Sequence, residues 1–153
     1  MKAFRGKVAV EGMVDGMALV SRFPLSFLGG VNPATGQIID HESDVFGEFV
    51  TGKILIYPTG KGSTVGSYVI YGMKKVGTAP AAMVLVKPDP VTTIGCVISG
   101  IPMLHSVEAA VLSIKQGSRV RVSKDVLEVL SNEARSLPLG LFALLVPLCL
   151  CCS

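Results

Sequence analysis

The string "PTGKGSTVGSY", residues 58–68, sets one lysine and two hydroxyls among glycines. Where an apolar run gives way to helical spacing, these residue types suit a small anion. Glycines let the backbone approach a ligand, unpaired N–H groups at a helix start favour negative charge, and Lys61 adds a full positive charge. Gly60, Lys61, Gly62 and Thr64 are therefore candidate substrate contacts. A P-loop is excluded, because counting from Gly60 the pattern G-x-x-x-x-G-K-[ST] requires glycine and lysine where the chain has Val65 and Gly66. Ser63 has two readings. In a dry helix start the same donors stabilise its oxyanion, so that it acts as a general base; alternatively, Ser63 or Thr64 simply caps the helix. The residues alone leave both open.

Ser21 and Arg22, at the end of an apolar run, and Gly29, Gly30 and Asn32 in the following loop can line a carboxylate or phosphate site, since arginine binds both anions bidentately. A solvated arginine and an ordinary turn fit equally well. His41 beside Asp40 is either an oriented acid or base or a solvated loop histidine, and His105 after "GIPML" is either a phosphohistidine carrier or a strand-end residue.

The elements that must hold these groups read as a mixed α/β domain. Arg5 to Val10 and Gly16 to Val20 have strand patterns and are expected to pair through a turn at Glu11 to Asp15. Glycine, proline and asparagine then break every periodicity from Ser21 to Glu48, and a loop that long inside a compact domain carries function or meets a partner. Its apolar Phe23, Leu25, Phe27 and Leu28 are expected to need a partner's cover. Lys53 to Tyr57 and Ala82 to Val86, each closed by a proline, read as buried strands. Between them Val65, Val69, Met73 and Val76 mark a helix with Ser63 or Thr64 at its start and Lys74, Lys75 and Gly77 at its end. Val91 to Ser99 predicts a second, weaker helix, Ile101 to Leu104 a strand, and "SRVRVSKDVLEVL" a terminal β-hairpin turning near Lys124 and Asp125.

The 153 residues, 50% hydrophobic and 16% charged, suffice for one globular unit with a core. A net charge of +3 without a block of like charges argues against nucleic acid and lipid surfaces as partners. The N-terminus has no uninterrupted apolar stretch of signal-peptide length, so the cytoplasm is the expected location. Cys96 stands alone, and Cys149, Cys151 and Cys152 crowd the end at spacings that suit neither zinc nor a disulfide framework, so no metal is expected on this chain. The segment 133–153 falls outside the pattern, and its apolar part, Leu137 to Ser153, is shorter than the ~20 apolar residues of a spanning helix. Its alternatives are an acylated anchor or an altered C-terminus that packs on the domain or a partner.

Three strings, "VSRFPLSFLGGVNPATG", "GKILIYPTGKGSTVGSYVIYGMKK" and "ISGIPML", in this order and at these spacings, resemble the small, swivel-domain subunit of the aconitase X family. The likeness runs from about Phe4 to Leu130, within a domain placed at 1–132. It implies a swivelling β/β/α fold: α/β, a mixed sheet with strand-loop-helix-strand units and terminal β-hairpins. It also implies a larger partner subunit, in a heterodimer or higher assembly. That partner would carry a [4Fe-4S] cluster on three cysteines, with one iron open to the substrate hydroxyl as a Lewis acid. The implied reaction is the dehydration of (R)-5-phosphomevalonate to trans-anhydromevalonate 5-phosphate in the archaeal mevalonate pathway. Ser63 matches the family's serine base, and Gly60, Lys61, Gly62 and Thr64 match the loop around it. Family members that dehydrate hydroxyproline use a similar loop, and a stand-alone anion-binding or scaffold module is the alternative outside enzymology. Cys96 departs from the family pattern, where a small alanine-like residue is expected.

Overall fold

The computed structural model describes residues 2–131, and the tail expected at 133–153 lies outside the described residues. Eight strands and two α-helices occur among them. In chain order these are β1 (Ala3–Arg5), β2 (Lys7–Val10), β3 (Met13–Val20), β4 (Ile54–Tyr57), α1 (Gly66–Val76), β5 (Ala82–Leu85), α2 (Pro90–Ser99), β6 (Met103–His105), a 3-10 turn (Ala109–Ser113), β7 (Arg119–Ser123) and β8 (Val126–Ser131). Neighbouring strands follow the order β1-β8-β7-β3-β4-β5-β6-β2.

The long strand β3 joins two sheets. Its first part, Met13 to Met17, pairs antiparallel with β7, and its last three residues, Ala18 to Val20, pair parallel with β4. β4 pairs parallel with β5, and β5 parallel with β6. Strands β4 and β5 are buried along their whole length, which is why they read as unbroken apolar runs and not as alternations. Their alternate residues serve two cores. Leu55, Tyr57, Met83 and Leu85 face Ile70 and Met73 of α1 and Cys96 of α2. Ile54, Ile56, Ala82 and Val84 pack with Val120, Val122, Leu127 and Val129 of the β7-β8 hairpin. The result is three layers, β/β/α, with the parallel strands in the middle.

The C-terminal hairpin forms as its alternation requires, turning at Lys124 with φ 56°. The first two strand segments do not pair with each other. β2 lies antiparallel on β6 at the sheet edge while β3 occupies the centre, because β3 must reach both β4 and β7. Helix α1 also differs from its expected orientation. Val65 and Val76 are exposed, and the inward face is Gly66, Ser67, Ile70 and Met73. Of the four expected positions, Met73 is buried and Val69 packs half-buried against the same core, so the stripe holds at its middle and fails at both ends. Ile70 and Met73, three apart, carry the packing. Helix α2 forms despite its β-branched residues because both ends are closed: Asp89 accepts the Thr92 N–H at 2.9 Å, Pro90 opens the first turn, and Gly100 ends it.

The loop after β3 builds much of its own cover. Isolated bridges tie Leu25 to Gly60, Val31 to Ile38 and Gln37 to Phe49. Leu25 and Phe27 are buried in the helix-side core, contrary to the expectation that all four apolar residues of this stretch await a partner. Phe23 and Leu28 remain exposed.

Candidate functional site

The parallel strands β3, β4 and β5 all end on one edge of the sheet, and the loop from β4 to α1 leaves from there, at the carboxyl end where α/β sheets place ligands. Three separate contacts fix its path. The Leu25 N–H donates to the Thr59 carbonyl at 3.2 Å, and the Lys61 N–H returns to the Leu25 carbonyl at 2.9 Å. The Gly60 N–H donates to Asp89 Oδ1 at 2.9 Å. At the far end the buried Ser67 hydroxyl donates to the Val91 carbonyl at 2.7 Å. What remains between these anchors is the exposed stretch Lys61 to Val65.

Within it, Ser63 does not cap α1 as expected. The cap position is Val65, without a side-chain bond. Ser63 Oγ instead accepts the Val65 N–H at 3.2 Å, two residues on, and the Ser63 carbonyl accepts the Gly66 N–H at 3.0 Å. This local turn leads into the helix and leaves the hydroxyl proton free for another partner. Thr64 is exposed and caps nothing. Among the described residues, the backbone N–H groups of Gly62, Ser63 and Thr64 have no protein acceptor. Three successive donors at a helix start, with a hydroxyl among them, make a surface that favours an anion. Gly62 sits at φ 95°, and a Cβ there would lie 2.5 Å from Ser26 Oγ, so both conformation and space call for glycine.

The charge of Lys61 is partly matched: its Nζ lies 3.9 Å from Asp40 Oδ2 in a half-exposed pair, worth less than about 1 kcal/mol. An incoming anion can therefore draw Lys61 away at little cost. Asp40 turns to Lys61 and to the Glu42 N–H, not to His41, which stacks on Phe46 at 4.4 Å between ring centroids. The oriented Asp40–His41 pair is thus not formed. His105, at the end of β6, lies 2.9 Å through Nδ1 from Ser106 Oγ.

The turn of Gly29 and Gly30 is brought against the Ser63 loop through Ser26, whose hydroxyl donates to the Leu28 carbonyl at 2.8 Å and whose Oγ borders Gly62. Ser21 is fully buried, and its Oγ is engaged by the Phe23 backbone at 2.8 Å and Asp44 Oδ1 at 3.1 Å. Arg22 is exposed and donates its N–H to Asp44 at 3.0 Å. It lines an open cleft of about 470 Å³ with Asp44, Ser113, Lys115 and Gln116, and no residue of the Ser63 loop shares that cleft. The structure thus sets Ser26, which leads into the turn of Gly29 and Gly30, against Gly62, whereas Ser21 is engaged by Asp44 and Arg22 lines the separate cleft.

Sequence reasoning passed over Asp89 and Ser26. Aspartate before a proline at a helix start is a readable capping signal, but the reach of Asp89 to Gly60 is a tertiary contact with no local trace. Beside the loop runs a groove of about 480 Å³ lined by Thr64, Tyr68, Val91, Ile94 and Ile98. Its α2 wall carries no charged residue, and Tyr68, Ile94, Val97 and Ile98 stay exposed.

Among the described residues no three His, Cys, Asp or Glu side chains stand together as a metal ligand set. Cys96 is buried on the inner face of α2, where burial above all, and then the charge of Asp89, pushes its thiol up to about 12. A thiol held protonated neither ligates iron nor reacts. Alkylation in the native protein near pH 8 is therefore expected to spare Cys96, with labelling appearing only on unfolding. Peptide mass mapping reads this, and native labelling would contradict it. Tyr57 is likewise held neutral by burial, and its hydroxyl lies 3.1 Å from Thr92 Oγ1.

Residues 3–129 match the family model described as the aconitase X swivel domain. A curated relative from Pyrococcus horikoshii, named phosphomevalonate dehydratase small subunit, is 52% identical over 124 residues, covering 81% of this chain and 88% of the relative. The protein of the same name from Thermococcus gammatolerans is 49% identical over 125 residues, covering 82% and 94%. Among solved structures, the crystal structure of Thermococcus kodakaraensis aconitase X in its holo-form superposes with a TM-score of 0.82 at 44% identity, covering 86% of this chain and 100% of that one.

Proposed function

The chain belongs to the aconitase X swivel-domain family, and on that premise we propose that it is the small subunit of a heteromeric hydro-lyase that dehydrates (R)-5-phosphomevalonate to trans-anhydromevalonate 5-phosphate, with Ser63 as the general base. The substrate comes from relatives about half identical over nearly their whole length, whose name specifies it. The base assignment rests on one observation: Ser63 Oγ accepts the Val65 N–H at a helix start, beside three unpaired backbone donors. An N–H aimed at the oxygen favours its deprotonated form, and the donors and Lys61 add to that preference.

In the reaction the deprotonated Ser63 Oγ takes the proton from the carbon next to the substrate carboxylate. The electron pair of the broken C–H bond forms the double bond as the hydroxyl on the adjacent carbon leaves, which a Lewis acid in the large subunit would assist. The N–H groups of Gly62, Ser63 and Thr64 and the Lys61 ammonium hold negative charge, whether on Oγ before transfer or on the substrate. The turn of Gly29 and Gly30 borders this place through Ser26. The iron–sulfur cluster that the family implies finds no ligand set among the described residues of this chain, and on this reading it sits in the large subunit. The stretch Lys61 to Val65 is exposed, so on this reading a partner completes the site and excludes water. Exposed Phe23 and Leu28 on one side and Tyr68, Ile94 and Ile98 on the other offer that partner apolar contacts. No helix among the described residues is long and apolar enough to cross a membrane, and on this reading the complex works in the cytoplasm.

The test is co-expression with a cluster-bearing large subunit, anaerobic reconstitution, and parallel assays with phosphomevalonate and hydroxyproline. Turnover of phosphomevalonate by the complex, with the small subunit alone inactive and colourless, is expected. Activity on hydroxyproline only, or turnover by the isolated chain, would overturn the reading.

A further inference from the structure

We propose that Asp89 is the positioning residue of the site: its carboxylate clamps the Ser63 loop to the first turn of α2 and thereby sets where the serine oxygen stands. The proposal rests on the Ser63 reading above and deepens it.

The carboxylate divides its two oxygens. Oδ2 accepts the Thr92 N–H at 2.9 Å, which is all that an N-cap requires. Oδ1 accepts the Gly60 N–H at 2.9 Å, across 29 residues of sequence. A charged acceptor makes both bonds stronger than neutral ones. Gly60 carries the imprint of this contact. It has no positive φ, so its backbone does not demand glycine. The three atoms nearest a Cβ built there all belong to the carboxylate, Oδ1 and Oδ2 each at 2.6 Å and Cγ at 2.7 Å. Glycine at 60 therefore makes room for Asp89, not for a ligand, and its N–H is already taken.

The same first turn of α2 holds the loop's other parts. The Val91 carbonyl accepts from Ser67 at the start of α1, and Thr92 Oγ1 meets the Tyr57 hydroxyl at the end of β4. The beginning, middle and end of the strand-loop-helix unit are thus referenced to residues 89–92. Asp89 is the link nearest in sequence to Ser63, three residues beyond Gly60, and it is the charged one.

Asp89→Ser separates the clamp from the cap. Serine caps helices as well as aspartate but is too short to reach Gly60 as well. In the reconstituted complex, Asp89→Ser should stay folded, with its melting temperature lowered by about a few degrees, and keep its affinity for the large subunit, while kcat falls about tenfold or more with KM nearly unchanged, since loss of orientation acts on the transition state. Exchange of the Gly60 amide, read by NMR, should quicken by about the same order. Gly60→Ala should lower kcat by about tenfold in the wild-type background and by far less in Asp89→Ser, where the carboxylate it strikes is gone.

Wild-type kcat in Asp89→Ser, additive effects of the two substitutions, or unchanged Gly60 exchange would overturn the proposal. So would an Asp89→Ser chain that no longer folds, since the carboxylate would then be structural. Ser63→Ala, run in the same series, tells the two failures apart. Full activity there removes the base assignment, whereas a dead Ser63→Ala beside a fully active Asp89→Ser removes only the clamp.

Discussion

Ser63→Ala is expected to fold, bind its large subunit and turn over at least about a hundredfold more slowly than the wild type, with a smaller change in KM. The stability half follows from how little the hydroxyl holds. Ser63 is exposed, and its Oγ accepts a single N–H, that of Val65, at 3.2 Å. That N–H, at the surface, turns to water when the oxygen is removed, so the loss is about 1 kcal/mol or less. Residues of α1 that do carry stability, Ile70 and Met73, are untouched. The catalytic half follows from the place of the oxygen. It is needed only when a proton moves to it, so its removal takes away an interaction of the transition state and leaves the ground-state contacts of Gly62, Thr64 and Lys61 in place. Urea unfolding, partner titration and steady-state kinetics on one preparation check all three parts. A Ser63→Ala complex that assembles and turns over near the wild-type rate would falsify the base assignment and return the loop to anion binding.

How far the sequence revealed this site depends on how local each contact is. The strands β4 and β5 were readable because burial on both faces leaves an unbroken apolar run, whereas α2 was legible only as a weaker helix from the length of Val91 to Ser99 before Gly100, its cap Asp89 being passed over. The position of Ser63 between strand and helix was readable because the β4 run gives way there to helical spacing. The orientation of α1 was not, since Val65 and Val76 look like core residues and only packing reveals that Ile70 and Ser67 face inward. Pairing in the N-terminal part was also hidden. A two-strand pattern with a glycine-rich break suggests a hairpin, whereas β3 is drawn to the centre by partners more than thirty residues away. In the site itself, the space at two of the loop glycines is taken up by side chains of the same chain, Asp89 at Gly60 and Ser26 at Gly62, which sequence spacing does not display. Ser21 looked available because sequence does not display Asp44, which its buried Oγ meets, while Arg22 stays exposed but lines a cleft that the Ser63 loop does not share.

Gly62→Ala should be the most damaging single-methyl change in the loop, lowering kcat by about ten- to a hundredfold while the fold survives. Two costs act together. At φ 95° an L-residue bears a strain of about 1–2 kcal/mol. The added Cβ would also stand 2.5 Å from Ser26 Oγ and 3.3 Å from Ser26 Cβ. The hydroxyl can swing aside, but it then gives up its bond to the Leu28 carbonyl, and the turn of Gly29 and Gly30 loses that tie. Otherwise the loop itself retreats and carries the N–H groups of Gly62, Ser63 and Thr64 with it. Either response moves donors by a distance that orientation-dependent catalysis does not tolerate. Adding Ser26→Ala separates the two costs, because it removes the oxygen that the methyl strikes but not the backbone strain. The double variant is expected to recover part of kcat and to remain below wild type. Steady-state kinetics on the four combinations measure this directly. Wild-type kcat in Gly62→Ala would mean that the placement of these three donors plays no part in the reaction.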